Sequence, residues 1–298
     1  MSETTLIKDC TIVNEGVVKE SDLLIKNGRI EKIASGLSTD GITIDGSGLH
    51  LLPGVIDDQV HFREPGLTDR GNIKSESLAA IAGGTTSFMD MPNVLPPTLT
   101  NDLWLEKINI ASRHASANFS FYMGSSNENI DEIRAINPLE VCGLKVFMGA
   151  STGNLLVDNQ ESLDSIFREA PVIITTHCED TPMIKAKEQE YIDKYGNDIP
   201  IEAHAEIRSR EACYKSSKKA VDLATKFNSN LHILHISTKE ELDLFSAMPL
   251  ENKKITAEVC VPHLFFSSED YLTKGTLIKC NPSIKHIEDQ LALKAALK

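Results

Sequence analysis

The sequence predicts an α/β protein in which a (β/α)8 barrel of the TIM type follows a small N-terminal β unit. From residue 51 onward, seven short apolar runs alternate with helical stretches, whereas the first fifty residues break into short β pieces separated by Asn/Gly turns. Strand-helix alternation is the mark of βα units and a parallel sheet. Seven such units over this length suit a barrel better than a short open sheet.

The N-terminal pieces lie at 4–13, 17–25, 29–33 and 41–44, divided by Asn14-Glu15-Gly16, Asn27-Gly28 and Asp45-Gly46. Asn-Gly between alternating strands is a strong hairpin signal, and so small a β unit needs a surface to pack on. The boundary is therefore set at 1–50 for an accessory β domain and 51–298 for the barrel. Barrel strands are read at 51–61, 85–91, 118–123, 143–147, 172–177, 231–236 and 255–259. Helices are read at 72–82, 103–115, 163–170, 201–226 and 239–248, and 286–298 is the helix after strand seven. No eighth strand follows, so a barrel lacking its C-terminal part is expected. No Gly-rich phosphate loop opens a helix after the first strand, which argues against a doubly wound nucleotide fold.

Acidic residues outnumber basic ones 43 to 30, for a formal charge of −13. That balance disfavours a sequence-independent nucleic-acid binder, which needs a cationic surface. Met1-Ser2-Glu3-Thr4-Thr5 lacks the basic start and apolar core of a secretory leader, and no apolar run is long enough to span a bilayer. The 6 cysteines are scattered, with no C-x-x-C pair. These features predict reduced thiols in a cytoplasmic protein, with neither nucleic acid nor membrane as partner.

Polar residues gather at the C-terminal ends of the predicted strands, where barrels do chemistry. Strand one ends in His61 and Arg63, strand two in Asp90-Met91-Pro92-Asn93, and strand four carries Lys145. Strand five ends in His177-Cys178-Glu179-Asp180, and strand six contains His232 and His235. Three histidines and a lysine at one mouth would suit zinc, since neutral imidazole is a good zinc ligand. Lysine itself is protonated at neutral pH, but once carboxylated by CO2 it becomes an oxygen donor able to bridge two metals. His232 and His235 are three apart on a strand and face opposite ways; His235, just before Ser237 and Thr238, is the better candidate.

Each residue also has a plainer reading. A single strand-end histidine can be a hydrogen-bonding residue, and Lys145 can snorkel to the rim. Arg63 can pair with Glu64 or Asp69, but a guanidinium also forks onto a carboxylate, which would suit an anionic small-molecule substrate. Asn93 can grip the edge of a cyclic amide or hold a turn after Pro92.

Together these residues resemble the dihydroorotases of the amidohydrolase superfamily, over nearly the whole chain. The resemblance rests on Arg63-Glu64-Pro65-Gly66, Ala82-Gly83-Gly84-Thr85-Thr86, Met91-Pro92-Asn93, His177-Cys178-Glu179, His235-Ile236-Ser237-Thr238 and Asn281-Pro282-Ser283. It implies a metal-dependent hydrolase barrel with part of an accessory β-sandwich, and the reversible, zinc-dependent closure of N-carbamoyl-L-aspartate to L-dihydroorotate in pyrimidine synthesis. His61, His177 and His235 would be metal ligands, with Lys145 at the bridging position as a carboxylated lysine. Arg63, Asn93 and Asn281 would hold the substrate, and a homodimer is expected. Two departures stand out. Gln59 occupies the place of the first histidine in the family's His-x-His, a weaker zinc donor, so one or two ions would be bound. The family's general-base aspartate would lie beyond Lys298. Hydantoinase, dihydropyrimidinase or allantoinase chemistry is the alternative within the class, and a non-catalytic amidohydrolase-like scaffold the alternative outside it.

Overall fold

A computed structural model of the chain describes residues 3–149 and 155–298; Met1 and Ser2, from the stretch read for a leader, lie outside it. The chain divides into two units, Met1–Ile56 with Gly84–Thr86, and Asp57–Gly83 with Ser87–Lys298.

The first unit is a five-stranded sheet of β1 (Thr4–Asn14), β2 (Val17–Lys26), β3 (Arg29–Ala34), β4 (Ile42–Asp45) and β5 (His50–Leu51). The order is β3-β2-β1-β4, and β5 also pairs with β1. β1 and β2 are antiparallel, while β4 and β5 run parallel to β1. The two hairpin turns carry positive φ at both central residues, Glu15 (49°) with Gly16 (74°) and Asn27 (51°) with Gly28 (73°). That backbone is what a type I′ turn needs, and it matches the strand twist. Cys10, Ile12 and Leu23 form the small core.

Among the described residues seven further strand positions follow, each lying wholly or mostly in the second unit. β6 (Val55–Val60), β7 (Thr85–Asp90) and β8 (Asn118–Phe121) form one sheet, and β9 (Met123–Gly124), β10 (Leu144–Phe147), β11 (Ile174–His177), β12 (Leu231–Ile233) and β13 (Ile255–Ala257) the other. β8 and β9 are one strand position, joined through Tyr122, whose N–H donates to Asp90 O at 3.1 Å. β10 and β11 are buried along their whole length, as strands covered on both faces should be. The main core lies here, around Phe62, Phe88, Phe121, Leu144, Val146, Ile174 and Ile233.

The expected strand over 51–61 is broken between β5 and β6 at Leu52-Pro53-Gly54, where proline has no N–H to donate. The strand expected over 231–236 stops at Ile233, and His235 turns into left-handed backbone at φ 40°.

The helices are α1 (Ile73–Ala82), α2 (Asn101–His114), α3 (Ile130–Arg134), α4 (Gln160–Glu169), α5 (Thr181–Tyr195), α6 (Ala203–Ile207), α7 (Arg210–Phe227), α8 (Val261–Phe265), α9 (Tyr271–Lys274) and α10 (Ile287–Ala296). Side-chain caps from Asn72, Thr100, Asn159, Asp180 and Ser209 open α1, α2, α4, α5 and α7. The single helix expected over 201–226 divides into α6 and α7, because the Ser209 hydroxyl accepts from Ala212 N–H and starts a new helix. The helix expected over 239–248 shrinks to one 3-10 turn, Glu240–Leu244. α5 was not anticipated: its charged sequence has no apolar stripe. No helix among the described residues is long and apolar enough to cross a membrane.

Candidate active site

The side chains singled out at the strand ends come together in pairs. The first pair follows from the turn after β11, where His177-Cys178-Glu179-Asp180 divides its work. Asp180 caps α5, accepting from Met183 N–H at 3.0 Å. Glu179 is fully buried, and its Oε2 lies 2.7 Å from His177 Nε2. A carboxylate at that distance keeps the imidazole proton on Nε2, so Nδ1 carries the lone pair. This Nδ1 lies 3.2 Å from Nε2 of His235. His235 is 5% exposed, and its own Nδ1 has no partner among the described residues. The turn behind it is fixed by Glu241, whose Oε2 accepts from both Ser237 N–H and Thr238 N–H at 3.1 Å.

The second pair joins the ends of β6 and β7. His61 Nδ1 lies 2.9 Å from Asn93 Oδ1, which places the proton on Nδ1 and leaves Nε2 free to coordinate. The two loops are tied together further on, as Leu95 N–H donates to Pro65 O at 3.1 Å. Gly66 has φ 81°, and a Cβ there would sit 2.1 Å from Leu95 O, so only glycine permits this approach. Below them Asp90 Oδ1 accepts from Phe62 N–H at 2.9 Å, and Asp90 pairs with Lys107 at 2.7 Å.

Arg63 sits between these anchors in left-handed backbone at φ 68°. Neither Glu64 nor Asp69 pairs with its guanidinium among the described residues: Glu64 instead accepts from Ile73 N–H at 2.8 Å. Burial, then the nearby charge of Arg70, lowers the Arg63 pKa.

Electrostatics link the two pairs. Burial, followed by the charges of Arg63 and Lys145, presses His61 down to about 3. Burial holds His177 and His235 below the ordinary histidine value, and the charge of Lys145 adds to both shifts. All three imidazoles are thus neutral near pH 7, the form that binds metal. Lys145 is 1% exposed, and no carboxylate pairs with it among the described residues. Its Nζ lies 4.7 Å from the centre of the Phe147 ring. Burial brings its pKa down to about 7, which makes available the neutral amine that reacts with CO2.

His177 and His235 are placed to share one zinc ion, whereas His61 forms no three-ligand cluster with them among the described residues. Two imidazole nitrogens on one tetrahedral zinc stand about 3.3 Å apart, close to the 3.2 Å separating His177 and His235. Gln59 Oε1 accepts from Cys260 Sγ at 3.4 Å.

His232, set aside in favour of His235, belongs to a different group. Its Nε2 is 3.4 Å from Glu258 and 3.7 Å from Asp58, and Nδ1 is 2.8 Å from Thr256 Oγ1. His232, Glu258 and Asp58 have ligand atoms within 4.8 Å of one another, close enough to share a cation. Burial, then the hydrogen bond with Glu258, raises the Asp58 pKa to about 6. Sequence reading missed Asp58 and Glu258. Glu258 carried a usable signal, two residues beyond Thr256 on the same face of the last strand. It also missed His263, 5% exposed, with Nδ1 unpartnered among the described residues. Asn281 is exposed and lines a cleft with His204, Arg208 and Lys279; no hydrogen bond ties it to His61 or Asn93 among the described residues.

A small β unit followed by parallel strands that carry histidines and a lysine at their ends defines an amidohydrolase-type barrel, and solved structures bear this out. L-hydantoinase from Arthrobacter aurescens superposes with a TM-score of 0.91 at 26% identity, covering 98% of this chain and 66% of that one. A crystal structure of D-hydantoinase gives 0.84 at 25% identity, over 99% and 66%. Among curated relatives, an allantoinase of Bacillus velezensis is 29% identical over 296 residues, 97% of this chain and 65% of its own. A dihydroorotase of Methanosarcina acetivorans is 31% identical over 291 residues, covering 94% and 61%. The similarity supports the cyclic amidohydrolase family and singles out none of its three activities. The chain spans just under two thirds of the length of these relatives. No family model matches the chain.

Proposed function

We propose that this chain carries the metal-ligand and substrate side chains of a dihydroorotase, interconverting N-carbamoyl-L-aspartate and L-dihydroorotate. Arg63 is the observation that carries the choice. A partly buried guanidinium without an ion-pair partner among the described residues, held in costly left-handed backbone near His61, suits a substrate with a free carboxylate. Hydantoin and allantoin rings have no such carboxylate.

His61, His177, His235 and a carboxylated Lys145 would hold zinc, one ion or two. Zinc would supply a Lewis acid for the ring carbonyl and lower the pKa of a water. The chain's own part is to keep three imidazoles neutral and to fix the tautomers of His61 and His177 through Asn93 and Glu179. Arg63 and Asn281 would clamp the carboxylate and ring so that the amide carbonyl meets the ligand set in one orientation. The enzyme is proposed to act as a homodimer in the cytoplasm.

A hydantoinase or allantoinase is the second reading, favoured by the superposition on L-hydantoinase. Initial rates of the zinc-loaded full-length protein on L-dihydroorotate, hydantoin and allantoin separate them. Turnover of dihydroorotate is expected. Activity on either other ring with none on dihydroorotate would sink the proposal, and absence of both zinc and turnover would favour a scaffold.

A further inference from the structure

Glu179 takes no part in the ligand set, yet its side chain holds one of the ligands. The residue is fully buried in the turn between β11 and α5. One oxygen, Oε2, receives both the His177 Nε2 proton and a hydrogen bond from Arg208 Nη1. Oε1 is buried without a partner among the described residues. Arg208 comes from the break between α6 and α7, directly before the Ser209 cap, so its position is set by the start of an 18-residue helix. The chain of contacts therefore runs from a rigid helix end, through a carboxylate, to one face of an imidazole whose other face looks at His235.

We propose that Glu179, steadied by Arg208, is a positioning residue that fixes His177 as an Nδ1 metal donor. The inference rests on the metal-site reading above. An imidazole ring free to turn about χ2 would present either nitrogen or carbon to an ion; a carboxylate 2.7 Å behind Nε2 removes that freedom. It also polarises the ring, which makes Nδ1 a stronger donor. Burying a carboxylate is costly unless it is paired, and here the compensation comes from the ligand it orients and from Arg208.

The test titrates metal-free, full-length protein with cobalt(II) alone, read by visible absorption and by competition with a chelator. Glu179→Gln keeps the volume but loses the charge, and it should weaken cobalt binding about 10- to 100-fold and alter the absorption band. Arg208→Gln, which loosens the carboxylate without removing it, should give a smaller loss of the same kind. In zinc-saturated enzyme, kcat should fall while KM stays near the wild-type value. If Glu179→Gln fails to fold, as judged by its melting curve, Arg208→Gln decides. Cobalt affinity and spectrum unchanged in the folded variant would overturn the positioning role. Wild-type protein that binds no cobalt would instead bring down the metal-site reading itself.

Discussion

Replacing Lys107 by methionine should cost about 3–5 kcal/mol, the usual consequence of removing one partner from a buried ion pair. The pair is unusually dry, since both side chains are 0% exposed and lie 2.7 Å apart. Burial pushes the Asp90 carboxyl up and the Lys107 ammonium down, and their contact opposes both shifts. Lys107 also donates to Met91 O at 2.8 Å, so it braces the backbone that leads to Asn93. Methionine fills the space but leaves Asp90 unpaired while that carboxylate still holds Phe62 N–H. The double variant Asp90→Asn/Lys107→Met keeps an acceptor for Phe62 and removes both charges, so it should recover most of the loss. Urea unfolding followed through Trp104 is the natural assay. Trp104 is the only tryptophan, lies one helical turn from Lys107, and donates from Nε1 to Phe121 O at 2.9 Å. A Lys107→Met unfolding free energy within about 0.5 kcal/mol of wild type, the range of an ordinary surface change, would refute the reasoning.

Other expectations follow from the same contacts. Arg63→Lys should lose most of kcat/KM on dihydroorotate with zinc content unchanged, because lysine cannot fork; near-normal kinetics would remove the carboxylate-clamp role. Gly66→Ala should destabilise by about 1–3 kcal/mol through its positive φ and the close Leu95 carbonyl, visible as a lower melting temperature. Acid should weaken the metal-free protein through His263, whose pKa burial lowers from 6.5 to about 4. Its folded form takes up a proton later than the unfolded chain, so stability is complete above pH 6.5 and falls between 6.5 and 4. At pH 5 this amounts to about 2 kcal/mol, and His263→Gln should flatten that part of a stability-pH curve.

The order of strands was legible because both-face burial writes continuous apolar runs, and the hairpins because Asn27-Gly28 states its turn in two letters. The strand-end histidines were legible for the same reason, as their positions follow from strand ends. What could not be read were features that depend on distant residues meeting. α5 escaped because it is recognised by the Asp180 cap and not by an apolar stripe. Lys107 reads as a surface helix residue until Asp90, far off in sequence, is seen beside it. Glu258 and Asp58 meet only through the closeness of strands at opposite ends of the chain's second unit. His232 shows the opposite case, since period-two geometry alone separated it from His235.

The left-handed backbone at Arg63 and His235 bears on how this protein responds to selection. Non-glycine residues there carry a conformational cost of order 1 kcal/mol each, which glycine would relieve. A library screened only for heat resistance should therefore drift toward glycine at 63 and 235, gaining robustness while shedding a guanidinium and an imidazole. Where such a screen enriches glycine but a screen for turnover restores the original pair, the two positions mark where durability was traded for chemistry.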